Sequence, residues 1–239
     1  MKYVLDIGAG KFNSELQMYD CNWTQHDHVV IVHIDRCYPV NNSYNVDSLV
    51  NQLVALEHHS DRDYDEISIE PFNRVVKINN HWVIDLFCRS DVFGFMDNFS
   101  MKPFDKIVCN RMFEHLEYCG GEVGRMLEAC NAISKNTATL EFVVPNAELL
   151  ANMLLMKKTL SDNDVMIINT EFCNGKFDPH ASVWTPRLAY KYIDQEATWK
   201  ITKIVEKYPF AGRDIYMKVW CEKPIELQYN GAYDNGDNK

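Results

Sequence analysis

The sequence predicts an α/β protein built on a doubly wound, mostly parallel seven-stranded sheet with an antiparallel last strand and helices on both faces. Three observations carry that prediction. Short apolar runs at 3–7, 29–34, 81–87, 105–109 and 139–144 alternate with stretches of helical period, as βαβ units require. The first run ends in Gly8-Ala9-Gly10, a turn that leads a strand into a helix. Two β-rich stretches close the fold, 200–208 and 214–222, separated by the turn-like Pro209-Phe210-Ala211-Gly212. So short a link permits only an antiparallel pair, because a parallel crossover takes roughly a dozen residues or more.

Each element follows from its residues. The run 3–7 is apolar apart from Asp6, and a helical pattern follows through Phe12, Leu16 and Tyr19. Residues 29–34 read VVIVHI and stop at Asp35, which suits a buried parallel strand covered on both faces. The third run, 81–87, holds Asp85-Leu86 near its end. The fourth, 105–109, runs into Asn110-Arg111 and is followed by a helix predicted over 121–133, and the fifth, 139–144, stops at Pro145. The stretch between Asp35 and Asp85 exceeds the roughly thirty residues of a bare βαβ step, so 39–80 is an insertion. Within it Val46, Leu49, Val50, Leu53 and Leu56 share one helical face over 46–57. Residues 58–66 are polar and acidic, and 67–69 with 75–78 predict a hairpin around Pro71-Phe72-Asn73. A single domain is expected over 1–224. The tail over 225–239, rich in Gly, Asn and Asp from Asn230 onward, is expected to be disordered.

Composition narrows the function. The 239 residues carry 34 acidic and 24 basic side chains, a formal net charge of −10. That balance argues against a broad nucleic-acid-binding face, whose affinity comes from Lys and Arg displacing counterions. Apolar residues at 46% and charged residues at 24% are ordinary globular usage, so a packed core suffices without a structural metal or disulfides. No apolar run reaches the roughly 18 residues of a membrane span, and the start MKYVLDIGAG lacks the basic and apolar regions of a secretion leader. The expected location is the cytoplasm of its cell or host, with no membrane partner. The eight cysteines contain no Cys-x-x-Cys pair and read as reduced thiols.

The glycine turn at Gly8-Ala9-Gly10, Asp6 inside the first strand, Asp35 at the end of the second and Asp85 at the end of the third together resemble the class I S-adenosylmethionine-dependent methyltransferase family. The resemblance runs from Tyr3 to Pro224. It continues in Phe104-Asp105-Lys106-Ile107-Val108, similar to that family's fourth strand, in Glu114-His115-Leu116 just beyond, and in Val143-Val144-Pro145-Asn146 at the fifth strand's end. It implies S-adenosylmethionine as cofactor and S-adenosylhomocysteine as product. By the same resemblance Asp6, Gly8 and Gly10 contact the methionine moiety, Asp35 holds the ribose hydroxyls with Arg36 over the adenine, Asp85 and Leu86 read adenine, and Asn110 lines the pocket. Phe12 stands where many members carry a further glycine. The first strand begins at Tyr3, so cover for cofactor and acceptor is expected from 39–80 and 150–185.

Transfer of an activated methyl needs an aligned acceptor, exclusion of water and, for a hydroxyl or protonated amine, a proton acceptor. Candidates are His115, His180 and Glu114, since a histidine titrates near neutrality. Glu114-His115, Asp178-Pro179-His180 and Trp184-Thr185 also resemble the ordered motifs of small-RNA 3′-terminal 2′-O-methyltransferases and of some ubiquinone-pathway and glycan O-methyltransferases. In the metal-dependent members a Glu-x-x-Glu-His stretch joins a later histidine around a divalent cation. Here Glu114, His115 and His180 match three of those positions, and the fourth is Arg111. A cation in place of a carboxylate removes a ligand and adds repulsion, which weighs against a bound metal. Arg111 is then a partner for Glu114 or for an anionic group of the substrate, and Trp184 a wall of the acceptor site. The expected acceptor is a small or oligomeric molecule modified on oxygen or nitrogen. RNA 2′-O-methylation and a non-catalytic cofactor-binding protein are the alternatives. The acids Glu57, Asp61, Asp63, Asp65, Glu66 and Glu70, against the single Arg62, bias the insertion toward neutral or cationic acceptors.

Overall fold

Strand β1 (Lys2–Ile7) and strand β2 (Val29–Ile34) form where the sequence is almost wholly apolar, and every residue of β2 is buried. The computed structural model describes residues 1–8, 28–39, 43–58, 73–78, 81–157, 159–171, 180–196, 198–210 and 213–224. The helix expected after Gly10, the acidic run of the insertion beyond His58 and the tail lie outside them. The described chain divides into two compact units, Met1–Val108 with Ala132–Ala138, and Cys109–Asn131 with Thr139–Lys239.

In the first unit β1 and β2 pair in parallel, Asp6 beside His33, and β2 pairs in parallel with β4 (His81–Cys88), His33 beside Phe87. The strand order is β3 (Asn73–Ile78), β4, β2, β1, with β5 (Phe104–Asn110) next to β1. Side chains alternate across the sheet. One face carries Val4, Val29, Ile31, Val83 and Val108 as a buried cluster, and Asp6, His33 and Asp85 continue the same rows toward the strands' carboxyl ends. The other face carries Leu5, Val32, Ile34, Leu86 and Cys88, all buried. Helix α1 (Val46–His58) starts at a reciprocal cap: the Ser48 amide donates to Asn45 Oδ1 at 2.8 Å and the Asn45 amide to Ser48 Oγ at 3.1 Å. Leu49, Leu53 and Leu56 fill its buried stripe, as the spacing predicts. Helix α2 (Val92–Asn98) is capped by Asp91, whose carboxylate accepts from the Gly94 amide at 2.8 Å.

One pairing differs from expectation. Strand β3 (Asn73–Ile78) pairs antiparallel with β4, Ile78 opposite His81, and makes an eighth strand among the described residues. Only Asn79 and Asn80 separate the two, so a hairpin is the one connection available. The segment 67–69, expected as its partner, lies outside the described residues.

In the second unit the order is β6 (Ser134–Pro145), β8 (Arg213–Glu222), β7 (Lys200–Phe210), and both pairings are antiparallel. Strand β7 (Lys200–Phe210) and strand β8 (Arg213–Glu222) form the terminal pair that the short link requires. Strand β6 (Ser134–Pro145) begins before the apolar run, and its portion from Thr139 onward pairs with β8. Helices α3 (Glu122–Ile133), α4 (Ala147–Leu155), α5 (Asp162–Glu171) and α6 (Pro186–Glu196) complete the unit. Val143, Leu150, Ile167, Ile215 and Tyr216 form one of its cores. Among the described residues no helix is long and apolar enough to cross a membrane. Cys37, Cys88, Cys109, Cys119, Cys130 and Cys221 are free thiols.

Candidate functional site

Two groups of side chains bring together the residues the sequence singles out, one in each unit. In the first unit they lie at the carboxyl ends of β1, β2 and β4, where ligands bind in open α/β sheets. Gly8 follows β1 with φ of 69°, a conformation that favours glycine, and its amide donates to the Ile34 carbonyl at 3.0 Å. Asp35 follows β2 and is partly exposed; its Oδ1 accepts from the Cys37 amide at 2.7 Å, which holds the turn carrying exposed Arg36. Asp85 is 1% exposed and shares a face with Asp6, whereas Leu86 points to the opposite face and is fully buried. Any contact of Leu86 with a ligand on the Asp85 face therefore comes from its main chain. Gly10 lies outside the described residues.

Three residues here escape a reading of motifs. His33 bridges Asp6 Oδ2, 2.9 Å from its Nδ1, and Asp85 Oδ1, 3.1 Å from its Nε2, and stacks on Phe87 with ring centroids 5.1 Å apart. Burial alone would depress the imidazole's pKa, but the two carboxylates outweigh it and raise the value from 6.5 to about 9. Tyr38 meets the same Phe87 edge-on at 5.6 Å, and its buried hydroxyl has no hydrogen-bond partner among the described residues. Burial, and then the charges of Asp6, Asp35 and Asp85, push that phenol well above its usual range. The signal for His33 was present in VVIVHI: a polar side chain inside an otherwise apolar buried strand needs partners.

In the second unit Asn110 ends β5 and Arg111 follows with φ of 57°, a left-handed conformation costing on the order of 1–3 kcal/mol for a side chain of this size. Its amide donates to the Val143 carbonyl at 2.8 Å. Its guanidinium lies 3.7 Å from Glu114 Oε1 and 5.7 Å from the Tyr216 ring centroid. Phe113–His115 is a single 3-10 turn in which Glu114 is 1% exposed. The later segment is fastened to this turn by main chain: the amides of Ala181 and Ser182 donate to the Glu114 carbonyl at 2.8 and 3.0 Å. His180 thereby meets His115, ring centroids 4.8 Å apart and planes at 81°. Ligating atoms of Glu114, His115 and His180 all lie within 4.8 Å of one another.

A cleft open to solvent is lined by Glu114, Pro145, Ala147, His180, Ser182 and Trp184. Trp184 is 1% exposed and packs edge-on against Phe113, Phe142 and Tyr192, and its Nε1 donates to Ser182 Oγ at 2.8 Å. Its chief contacts are therefore with the core behind the cleft. Asp178 and Pro179 lie outside the described residues.

No family model matches the chain, and no curated protein does. Solved structures do match. The plantazolicin methyltransferase BpumL, in complex with a pentazolic desmethylPZN analog and SAH, aligns with a TM-score of 0.50 at 15% identity, covering 93% of this chain and 76% of that one. The mycolic acid cyclopropane synthase CmaA1, complexed with SAH and CTAB, aligns with a TM-score of 0.50 at 11% identity over 93% of this chain and 78% of that one. A SAM-dependent methyltransferase from Methanosarcina mazei covers 92% of each chain at 13% identity, with a TM-score of 0.48. At these identities the likeness is one of fold.

Proposed function

We propose, from the class I S-adenosylmethionine-dependent methyltransferase fold that the chain adopts, that it moves a methyl group from S-adenosylmethionine to an oxygen or nitrogen of a small or oligomeric acceptor. The observation that carries the proposal is the set of acids Asp6, Asp35 and Asp85 at the strand ends, with the Tyr38 hydroxyl, which has no hydrogen-bond partner among the described residues, buried among their charges. A buried hydroxyl without a partner costs roughly 1–3 kcal/mol unless a ligand meets it, so the place fits a polar ligand such as a nucleoside.

When bound, the cofactor supplies a methyl already activated on a sulfonium, which leaves alignment, dryness and proton removal to the protein. In our assignment Asp35 takes the ribose hydroxyls with Arg36 beside the adenine, Asp85 and the Leu86 main chain meet the adenine edge, and Asp6, Gly8 and Gly10 meet the methionine moiety. His180 or His115 accepts the acceptor's proton, Glu114 fixes the turn that carries His115, and Arg111 balances the Glu114 carboxylate. The cleft beside His180 is open to solvent and suits a small acceptor or one end of an oligomer.

Calorimetry with S-adenosylmethionine and S-adenosylhomocysteine (SAH) tests the first step, and absence of binding to both defeats the proposal. Transfer of tritiated methyl onto metabolite, RNA and protein pools then identifies the acceptor class; binding without any transfer marks a sensor or partner subunit instead. Tyr38→Phe gives a sharper check. It is expected to leave the free protein about 1 kcal/mol more stable, because an unmet hydroxyl is gone, while weakening SAH binding by roughly fivefold to tenfold. Thermal melts and calorimetry of the one variant read both effects.

The mutual spacing of Glu114, His115 and His180 favours one second reading, a divalent cation held by one carboxylate and two imidazoles. Arg111 beside Glu114 opposes it, since a guanidinium next to a ligand repels the ion. Activity is expected to survive overnight dialysis against a chelator; loss with recovery on adding zinc or manganese would establish the metal instead.

A further inference from the structure

The imidazole of His33 has a carboxylate at each ring nitrogen, Asp6 on β1 and Asp85 on β4, and is 3% exposed. A neutral imidazole has one N–H, and an ionised carboxylate only accepts, so two such bonds call for a proton on both nitrogens. We propose that His33, as an imidazolium, is a positioning residue of the cofactor site that fixes the carboxylates of Asp6 and Asp85 in place for an S-adenosyl ligand. The inference rests on the reading of these strand ends as the cofactor site.

Three observations support it. The parallel register sets Asp6 beside His33 and Phe87 on its other side, so the ring is clamped by a stack as well as by two bonds. Asp85 belongs to the same side-chain row as Phe87, two positions earlier, so its carboxylate reaches the ring's other nitrogen. With a proton on both nitrogens the triad carries one net negative charge instead of two, which lowers the repulsion between acids that are 7% and 1% exposed.

The groups that meet the ring include Asp6 from β1 and Asp85 and Phe87 from β4; Tyr38, from the turn after β2, meets Phe87 and feels the charges of Asp6, Asp35 and Asp85. Burial and these charges hold the Tyr38 phenol above the range in which the imidazole titrates, and burial pushes the Cys88 thiol up to about 12. His33 is raised from 6.5 to about 9, so the stability its bonds contribute is complete below 6.5 and is lost as pH rises through about 9.

The test uses the whole chain labelled with ¹⁵N-histidine, together with SAH calorimetry from pH 6 to 10. At pH 7.5 both ring nitrogens of His33 are expected to carry protons, and SAH affinity to be level up to pH 8 and to fall as pH passes about 9. His33→Phe keeps a ring against Phe87 but makes neither bond; it is expected to bind SAH at least tenfold more weakly, with no step near pH 9. A His33 ring with one bare nitrogen at pH 7.5, or a wild-type affinity that is level through pH 10, overturns the inference whether or not the variant folds. Wild-type protein that binds no SAH at pH 7.5 defeats the cofactor reading itself, whereas wild-type binding matched by His33→Phe defeats only the role of His33.

Discussion

Replacing His180 by alanine is expected to slow methyl transfer by roughly 10²- to 10⁴-fold, the range a positioned acid–base group supplies. SAH affinity should stay within about twofold of the starting protein, because the change removes a group needed in the transition state and leaves the strand-end acids intact. The substitution is a clean one. The segment is held by the amides of Ala181 and Ser182 on the Glu114 carbonyl, so loss of the imidazole leaves the anchor in place. His115→Ala should fall in the same range, and the double variant should lose little more than either single one, since two rings 4.8 Å apart act as one unit. Initial rates with tritiated methyl donor measure all three. If both single variants turn over at the wild-type rate, the proton acceptor lies elsewhere.

The largest loss of stability is expected from Trp184→Ala, about 3–5 kcal/mol, the usual cost of truncating a large buried aromatic. The indole is 1% exposed and has ring centroids 5.8, 5.5 and 5.1 Å from Phe113, Phe142 and Tyr192. Its removal opens a cavity directly behind the cleft and strips Ser182 Oγ of the Nε1 donor. Trp184→Phe keeps part of the packing and should cost less than half as much. Urea titration followed by circular dichroism gives both values. A loss below about 1 kcal/mol for the alanine variant would mean the indole serves the cleft and not the core.

The strands of the five apolar runs were legible because those runs are largely apolar on both faces, a pattern that a buried strand needs and a surface strand does not. The start of β6 was not, since the polar Lys135, Asn136 and Thr137 precede the apolar run that begins at 139; in the structure Lys135 reaches both oxygens of Asp105 at 2.9 Å. The pairing of β3 depended on a choice between neighbours that hydrophobicity cannot make, and the short Asn79-Asn80 link decides it. At the candidate site the acids announced themselves by their places at strand ends. The ring that joins two of them stood out only as a polar residue in an apolar strand; which partners it takes was hidden, because His33 lies 27 positions from Asp6 and 52 from Asp85. Likewise the names Glu114, His115 and His180 could be picked out by likeness to known motifs, but what brings them together is main-chain bonding, which leaves no trace in residue type.

That anchoring of the Ala181 and Ser182 amides to the Glu114 carbonyl has a consequence for how the acceptor site can change over time. Every residue except proline carries an amide hydrogen, so residues 181 and 182 can mutate widely and still make both bonds. The imidazole keeps its address while the wall beside it is rewritten. A lineage or an engineer can therefore explore new acceptors through these positions without first losing the alignment of His180, and proline is the substitution that closes the route.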